Sequence, residues 1–455
     1  MNLTSARARR ARHDRCSKGH RSTPPIVVAG MITVFAAPLV RAQADERRER
    51  IDDATSWSLD LGGQLRERFE SSQNPVFGLS APAQNDYLLH RAAVFGDLRK
   101  GDRFRAQVEL VGGFTSGWTG SPPPTQDDPL DVLQAYAETS LPLSSGQLLV
   151  RAGRQELTLG SSRLVSVRES PNIRRAFDGI RATWVFSEDA RVDAFVVRPV
   201  FPNDEIFDDR SSSEQSFWGM YATSTAPALG GSGVDAYYLG LRREDATFAQ
   251  GQGRELRHSV GLRVFGAHND WDWNFEGVWQ WGSFGAANIR AWTLSSDAGY
   301  TFSTLPFSPR VGLKTDVISG DRDPLDGTLG TFNPLFPKLP YFSEANLATP
   351  ANLLDIQPSV ILSLTNRLSL SVSWNALWKY AKADAFYSPP LSAVEGTSST
   401  HTTDIGRQLS TGIEWNVSDN LSLNATYVKF EPRSVARQAG GREGSFFAAS
   451  IQLAF

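Results

Sequence analysis

Cysteine is almost missing from this sequence, whose 455 residues include only Cys16. Residues 1–44 have the three parts of a secretory signal peptide: a basic start, an apolar run at 26–40 and the small-x-small site Ala42-Gln43-Ala44. Cleavage after Ala44 removes Cys16 together with the signal. The exported chain then has no disulfide framework, so its stability must have another source.

Long apolar runs are scarce as well. The mean hydropathy is −0.29, and the run at 26–40 is too short for a comfortable transmembrane helix. Beyond a short polar lead at 45–54, which we expect in the periplasm, no amphipathic helix of ten or more residues stands out. These absences exclude a bundle of membrane helices and favour an all-β chain.

An excess of positive charge is also lacking, since the formal net charge is −3. Residues 1–44 contain 8 Lys and Arg and 1 Asp, so 38 basic and 48 acidic residues remain and the exported chain has a net charge of −10. Proteins bind nucleic acid largely by neutralising its phosphates with Lys and Arg. We therefore predict that nucleic acid is not a partner.

Signals of catalysis are few. The histidines outside the signal peptide are His90, His258, His268 and His401. They form no metal-spaced pair, and none lies beside a strand serine in an evident triad pattern. Neither G-x-S-x-G nor H-E-x-x-H occurs. We predict no catalytic residue, metal or cofactor, and a barrel-embedded enzyme is the least favoured function.

What the sequence does contain is a series of segments in which apolar and polar side chains alternate. In "WDWNFEGVWQWGSF" at 271–284, aromatic residues alternate with Asp272, Asn274, Glu276 and Gln280. This period of two is typical of a β-strand with one apolar and one polar face. We count eighteen such segments: 55–70, 87–99, 103–115, 130–141, 146–157, 176–186, 190–201, 216–226, 233–243, 256–267, 270–284, 288–302, 309–319, 352–365, 367–381, 403–416, 420–431 and 444–455.

The connections between these segments alternate between long and short, as in an up-and-down barrel. Each segment is long enough to cross a bilayer as a tilted strand, and the sheet must close because lipid cannot satisfy an open edge. The chain ends in "SFFAASIQLAF", which looks like the signal that bacterial outer-membrane barrels present for assembly. We predict an all-β transmembrane antiparallel up-and-down β-barrel of about 18 strands at 55–455, in the bacterial outer membrane.

A barrel of this size is expected to leave an aqueous channel, so residues on its inward face are candidate pathway residues. Arginine is prominent there, and its guanidinium matches carboxylates in a bidentate way. The alternation points these basic side chains inward: Arg66, Arg68, Arg105, Arg151, Arg181, Arg263 and Lys314. It points these candidate counter-charges inward: Glu109, Glu138, Asp193, Asp272, Glu276 and Asp316. Each arginine could touch substrate or pair with a wall carboxylate.

Two blocks resemble the alginate export porin family: "VRAGRQELTLGSSRLVSVRESPNIRRAFDGIR" at 150–181 and "SGDRDPLDGTLGTFNPLFPKLPYF" at 319–342. The resemblance implies passive export of an anionic polysaccharide, an alginate-like polyuronate, through a basic lumen. It also implies an electropositive constriction formed by Arg151, Arg154, Arg163, Arg168, Arg174, Arg175 and Arg181.

An anion-selective uptake porin for small carboxylates or sugar acids remains an alternative, because it would share the arginine-rich lumen. Substrate identity, direction and gating stay open at this point. The predicted partners are outer-membrane lipid and lipopolysaccharide, the transported anion, periplasmic export components, and the barrel-assembly machinery through the strand ending at Phe455.

The segment "GDRDPLDG" at 320–327 invites comparison with a calcium-binding loop. Asp321 and Asp323 fit the EF-hand register, but Leu325 and Asp326 occupy positions that require a ligand and a glycine. We therefore interpret this segment as a surface loop.

Overall fold

The structure is a computed structural model that describes residues 56–226 and 229–455. The signal peptide predicted at 1–44 and the lead predicted at 45–54 lie outside the described residues. In the described part of the chain, no helix is both long and apolar enough to span a membrane.

Eighteen antiparallel strands form one continuous sheet. They are β1 (Trp57–Gln73), β2 (Gln84–Lys100), β3 (Phe104–Ser116), β4 (Asp128–Leu143), β5 (Gly146–Gln155), β6 (Phe177–Ser187), β7 (Ala190–Phe201), β8 (Gln215–Ala226), β9 (Ser232–Phe248), β10 (Gly251–His268), β11 (Trp271–Phe284), β12 (Ala287–Thr301), β13 (Arg310–Ile318), β14 (Leu353–Ser363), β15 (Leu368–Trp378), β16 (Asp404–Asn416), β17 (Leu421–Pro432) and β18 (Gly444–Ala454).

The sheet closes on itself because β1 pairs with β18, in a register that runs from Gln64 opposite Ala454 to Gln73 opposite Ser445. Each barrel strand thus has two neighbours, and the ladder satisfies backbone groups that lipid could not. Each of the eighteen predicted segments overlaps one of these strands. The prediction of a closed antiparallel barrel of about 18 strands is confirmed.

A few short elements supplement the barrel. Arg210–Ser211 pairs with the end of β7, and Thr328–Leu329 pairs in parallel with the start of β12. Tyr387–Ser388 and Ser392–Ala393 form a small separate hairpin. Two helical segments, α1 (Pro75–Gly78) and α2 (Ser434–Gln438), span about one turn each.

Long connections collect at one end of the barrel, which by analogy with outer-membrane barrels faces outside. We number the nine connections at that end L1 (74–83), L2 (117–127), L3 (156–176), L4 (202–214), L5 (249–250), L6 (285–286), L7 (319–352), L8 (379–403) and L9 (433–443). L5 and L6 are tight turns, so the alternation of long and short connections is interrupted there. The opposite end, which we call the turn end, carries connections of two to eight residues.

The outward face of the barrel is apolar and aromatic. On β11, Trp271, Phe275 and Trp279 are 56%, 45% and 47% exposed, whereas Glu276 and Gln280 are buried on the inward face. These exposures place the aromatic face of β11 towards lipid and its polar face towards the lumen.

The outer half of the interior is packed, which differs from the open channel expected from the strand number. Phe177 of β6 and Phe217 of β8 point inward and contact Phe336 of L7, with ring centroids 5.2 and 5.0 Å apart. Val165 of L3 and Ala351 of L7 are fully buried. The physical reason is that part of the inward wall is apolar, so loops that fold into the barrel remove it from water.

Candidate functional site in the lumen

L3 and L7 meet inside the barrel and pair through their backbones. Ser166 N donates to Phe336 O (2.9 Å), Phe336 N donates to Leu164 O (2.8 Å) and Lys338 N donates to Ser162 O (2.9 Å). Val165 and Phe336 are thereby partners in a parallel bridge. We call this pairing the L3–L7 joint. It joins the two sequence blocks, 150–181 and 319–342, that carry the family resemblance.

The wall holds L3 mainly through arginines. Arg66 of β1 donates to Glu169 O (2.7 Å), Pro171 O (3.1 Å) and Asn172 Oδ1 (3.1 Å). Arg66 was predicted as a pathway residue, and the structure places it inward but engages it with the backbone of L3.

Carboxylates complete the attachment of L3. Glu169 of L3 forms a buried ion pair with Arg91 of β2. Arg174 of L3 contacts Glu109 of β3 and Glu156, each at 2.8 Å. The pKa of the Glu169 carboxyl is lowered because the neighbouring arginines outweigh the effect of its burial. L3 is therefore tied to the wall by charged groups that compensate one another.

L7 is attached to the wall in a comparable way. Glu344 accepts from Arg68 Nη2 (2.8 Å), and Tyr341 O accepts from Lys314 Nζ (2.8 Å). Nearer the rim, Thr331 Oγ1 donates to Asp384 Oδ2 of L8 (2.6 Å) and Asp321 N donates to the same oxygen (2.9 Å). The interpretation of 320–327 as a surface loop therefore holds for Leu325, which is 93% exposed, but is wrong for Asp321, which is 3% exposed.

Two acids of β11 hold basic side chains. Asp272 accepts from Arg310 Nη2 of β13 at 2.5 Å. Glu276 accepts from Tyr237 Oη (2.6 Å), Ser161 Oγ (2.8 Å) and Arg163 Nη1 of L3 (3.2 Å). The acids on this strand thus position a wall arginine and a loop arginine.

Most other predicted lumen arginines are paired with wall carboxylates. The closest N–O distance is 2.7 Å in each of four pairs, Arg105–Asp97, Arg151–Glu138, Arg181–Asp193 and Arg263–Asp235. Lys314 lies 3.9 Å from Asp316. Arg151 also stacks on Tyr136, with its guanidinium carbon 4.0 Å from the ring centroid. Of the two possibilities given for each arginine, contact with substrate or pairing with a wall carboxylate, these contacts match the second.

Arg154 does not face the lumen. It lies opposite Asp178 in the ladder, on the same face as Ile180, which is 57% exposed towards lipid. Its guanidinium contacts Asp178 at 3.0 Å and donates to Asp209 O of L4 at 3.2 Å. The placement of Arg154 on the pathway is therefore wrong, and its odd spacing from the inward Arg151 is the physical reason.

Three partly buried cations at the L3–L7 joint have no ion-pair partner among the described residues. Arg168 Nε donates to Pro337 O (3.1 Å), Arg175 lies over the Phe336 ring at 5.0 Å, and Lys338 belongs to the joint itself. Within the described residues, none of the three has a carboxylate oxygen within 4.0 Å. Lys338 was not predicted, although it lies in the quoted block "PLFPKLPYF".

Burial lowers the pKa of all three groups. It lowers the pKa of Arg168 to about 10, and burial together with the cations Lys314 and Arg163 lowers the pKa of Lys338 to about 7. The arginines remain cationic at neutral pH, whereas Lys338 titrates near it. The joint is thus an electropositive point in the lumen, built by the two loops that fill it.

A small pocket lies between the β1–β18 wall and the two loops. Its polar lining includes Arg66, Arg68, Glu169, Glu344, Ser450 and Gln452. It shows that L3 and L7 do not pack against the whole circumference of the barrel.

The family model described as alginate export matches residues 57–450. The chain belongs to the alginate export family. Its family and its closed barrel establish a porin-like channel of the bacterial outer membrane, and they indicate a channel rather than an enzyme. No curated protein sequence matches the chain significantly.

Solved structures similar to this barrel are outer-membrane Occ porins. OccD3 (OpdP) of Pseudomonas aeruginosa has a TM-score of 0.60 at 10% identity, covering 90% of this chain and 96% of that one. OccAB1 of Acinetobacter baumannii has a TM-score of 0.58 at 11% identity, with coverage of 87% and 96%. OccK2 (OpdF) of P. aeruginosa, solved in complex with glucuronate, has a TM-score of 0.56 at 10% identity, with coverage of 88% and 97%. At these identities the likeness shows the fold.

One polar cluster on the outward face of the barrel differs from the sequence-based expectation. His90 of β2 contacts Glu67 of β1 (Nδ1–Oε2 2.5 Å) and Ser116 at the end of β3 (Nε2–Oγ 3.0 Å). A histidine does therefore lie beside a strand serine, which one sequence could not reveal because three strands supply the three residues. The Glu67 carboxylate lies between the lipid-facing Leu65 and Phe69, and His90 gives it a hydrogen-bonding partner there.

Proposed function

We propose that this channel carries an anionic polysaccharide, an alginate-like polyuronate, out of the cell by passive passage. The observation that supports this proposal best is the set of uncompensated cations Arg168, Arg175 and Lys338 at the L3–L7 joint. A carboxylate arriving at the joint would supply the charge that the protein leaves unbalanced, so the local field favours anions over cations.

The proposed passage requires L3 and L7 to move. A polymer needs a continuous path, and L3 and L7 fill the outer half of the interior. The joint between them consists of a few backbone hydrogen bonds, which can be exchanged for water when the loops separate. The paired arginines Arg105, Arg151 and Arg181 then lie along the wall, where sugar carboxylates could exchange with the carboxylates that already bind them.

Uptake of small sugar acids is the second candidate, and one observation favours it. The structurally similar OccK2 was solved in complex with glucuronate, a monomeric uronate.

Single-channel recording in planar bilayers separates the two functions. We expect polyuronate oligomers to block the current at concentrations at which glucuronate has no effect. The triple variant Arg168→Gln/Arg175→Gln/Lys338→Gln should weaken the block about tenfold or more, because three uncompensated charges are removed. Arg290→Gln, which removes an exposed arginine from the outward face of β12, is the matched control and should behave like wild type. Equal block by monomer and oligomer would favour the uptake porin instead.

A further inference from the structure

An aspartate cluster lies on the outer rim of the barrel, away from the L3–L7 joint. Asp131 of β4 and Asp208 and Asp209 of L4 bring three carboxylates together, with one oxygen from each within 4.8 Å of the others. Backbone groups hold this arrangement in place. Asp209 N donates to Asp131 Oδ2 (3.0 Å), and Asn203 N donates to Asp209 Oδ1 (2.8 Å).

A fourth carboxylate beside the cluster is buried without a partner. Asp128, the first residue of β4, is 0% exposed, and neither of its carboxylate oxygens has a hydrogen bond among the described residues. The charged groups that act on it most strongly are Asp209, Asp131 and Asp208. Asp208 Oδ1 is also buried and unpartnered. A carboxyl group buried without a partner either keeps its proton or coordinates a metal ion.

Protein cations do not balance these four acids. Arg154 approaches Asp131 Oδ1 at 3.6 Å, but the same guanidinium contacts Asp178 at 3.0 Å. A divalent cation at the three clustered carboxylates would supply the positive charge that this one shared guanidinium does not.

We propose that Asp131, Asp208 and Asp209 bind a calcium ion beside the buried carboxylate of Asp128. Calcium takes six to eight oxygen ligands in flexible geometry, which suits carboxylates from one strand end and one loop, whereas magnesium requires a near-ideal octahedron. The ion would attach L4 to the start of β4. Its site is on the outer rim, so it stabilises the rim and takes no part in conduction.

Isothermal titration of the purified barrel in detergent, freed of calcium by a chelator, tests the site. We expect one calcium ion per chain with a Kd on the order of 0.1–1 mM, the range of extracellular calcium modules. The melting temperature should rise with calcium and rise less with magnesium. Asp208→Asn, which removes an unpartnered loop carboxylate, should weaken calcium binding at least tenfold.

The control variant is Asp204→Asn, because Asp204 lies on the same loop and is exposed outside the cluster. It should bind calcium like wild type. Calcium held by residual lipopolysaccharide would contribute equally to this control and to Asp208→Asn, so a difference between the two variants reports on the protein site. Asp131→Asn gives a second measurement, and Asp208→Asn keeps the test valid if Asp131→Asn fails to fold. No calcium-dependent heat or melting shift up to about 10 mM, or equal binding by Asp208→Asn, would overturn the proposal.

Discussion

Arg66 and Arg151 show, at the scale of the residue, two ways in which this lumen uses arginine. Arg66 donates to the backbone of L3, whereas Arg151 pairs with Glu138 and stacks on Tyr136. The alternation of side chains predicted that both point inward, because successive residues of a strand face opposite sides. It could not predict their partners, which come from a loop in one case and a neighbouring strand in the other. The same rule, applied to Arg154, would have placed it outside.

Lys338 leads to a prediction about pH. Its pKa of about 7 means that the ammonium is charged below this pH and progressively neutral above it. We therefore expect the anion-to-cation permeability ratio to fall by about twofold between pH 6 and 8.5, as one positive charge leaves the joint. Reversal potentials in a salt gradient measure this ratio.

Two variants of the same residue control for other titrating groups. Lys338→Arg should keep the permeability ratio high at both pH values, because arginine stays charged. Lys338→Gln should hold it low at both. A Lys338→Gln channel that retained the wild-type pH dependence would show that another group is responsible.

At the scale of the element, the strands were predictable and the infolded loops were not. Each strand has a period of two that the sequence displays over about ten residues, whereas L3 and L7 have no period to read. The strands themselves did contain a signal that something folds into the barrel. Phe177, Phe217 and Leu239 lie at inward positions, where an open aqueous channel would expose them, so something apolar had to cover them.

A disulfide across the L3–L7 joint tests whether the loops must separate. Paired residues on neighbouring strands have Cα atoms about 4.8 Å apart, which is compatible with a disulfide. In Val165→Cys/Phe336→Cys we expect oxidation to abolish the interaction with polyuronate oligomers and to change small-ion conductance less than about twofold. Reduction with dithiothreitol should restore the interaction.

The reduced double variant is its own control for the loss of the Phe336 ring, and the two single variants control for the thiols. The sequence outside the predicted signal peptide has no cysteine that could interfere. Undiminished block by polyuronate in the oxidised form would show that the joint stays closed during passage.

At the scale of the whole molecule, closure depends on the meeting of the two chain ends. Phe455 N donates to Gly63 O (3.0 Å), and Gly63 N donates to Phe455 O (2.8 Å), which extends the β1–β18 pairing to the last residue. The composition already indicated that stability would not come from disulfides. In the barrel it comes from a ladder in which every strand has two partners.

The C-terminal aromatic gives a prediction for assembly. If the barrel-assembly machinery reads the last strand, Phe455→Ala should lower the amount of folded barrel in the outer membrane several-fold. Refolding of the purified chain in detergent should change little, because the β1–β18 hydrogen bonds are backbone bonds. The gel-mobility shift of heated against unheated samples measures both.

Phe447→Ala is the matched control, since Phe447 is an outward aromatic of the same strand eight residues earlier. It should reach the membrane in near wild-type amounts. Equal losses in both variants would point to general destabilisation of β18 rather than to recognition of the chain end.

The aromatic residues of β11 also fix the thickness of membrane in which the barrel sits without strain. Trp271 and Trp281 are ten residues apart, which corresponds to about 25 Å along the membrane normal for a strand tilted by about 40°. An average bilayer has a hydrocarbon core of about 30 Å, and the bacterial outer membrane is thinner than average. Hydrophobic mismatch therefore favours the outer membrane over thicker bilayers, and short-chain lipids are the appropriate choice for reconstituting the channel.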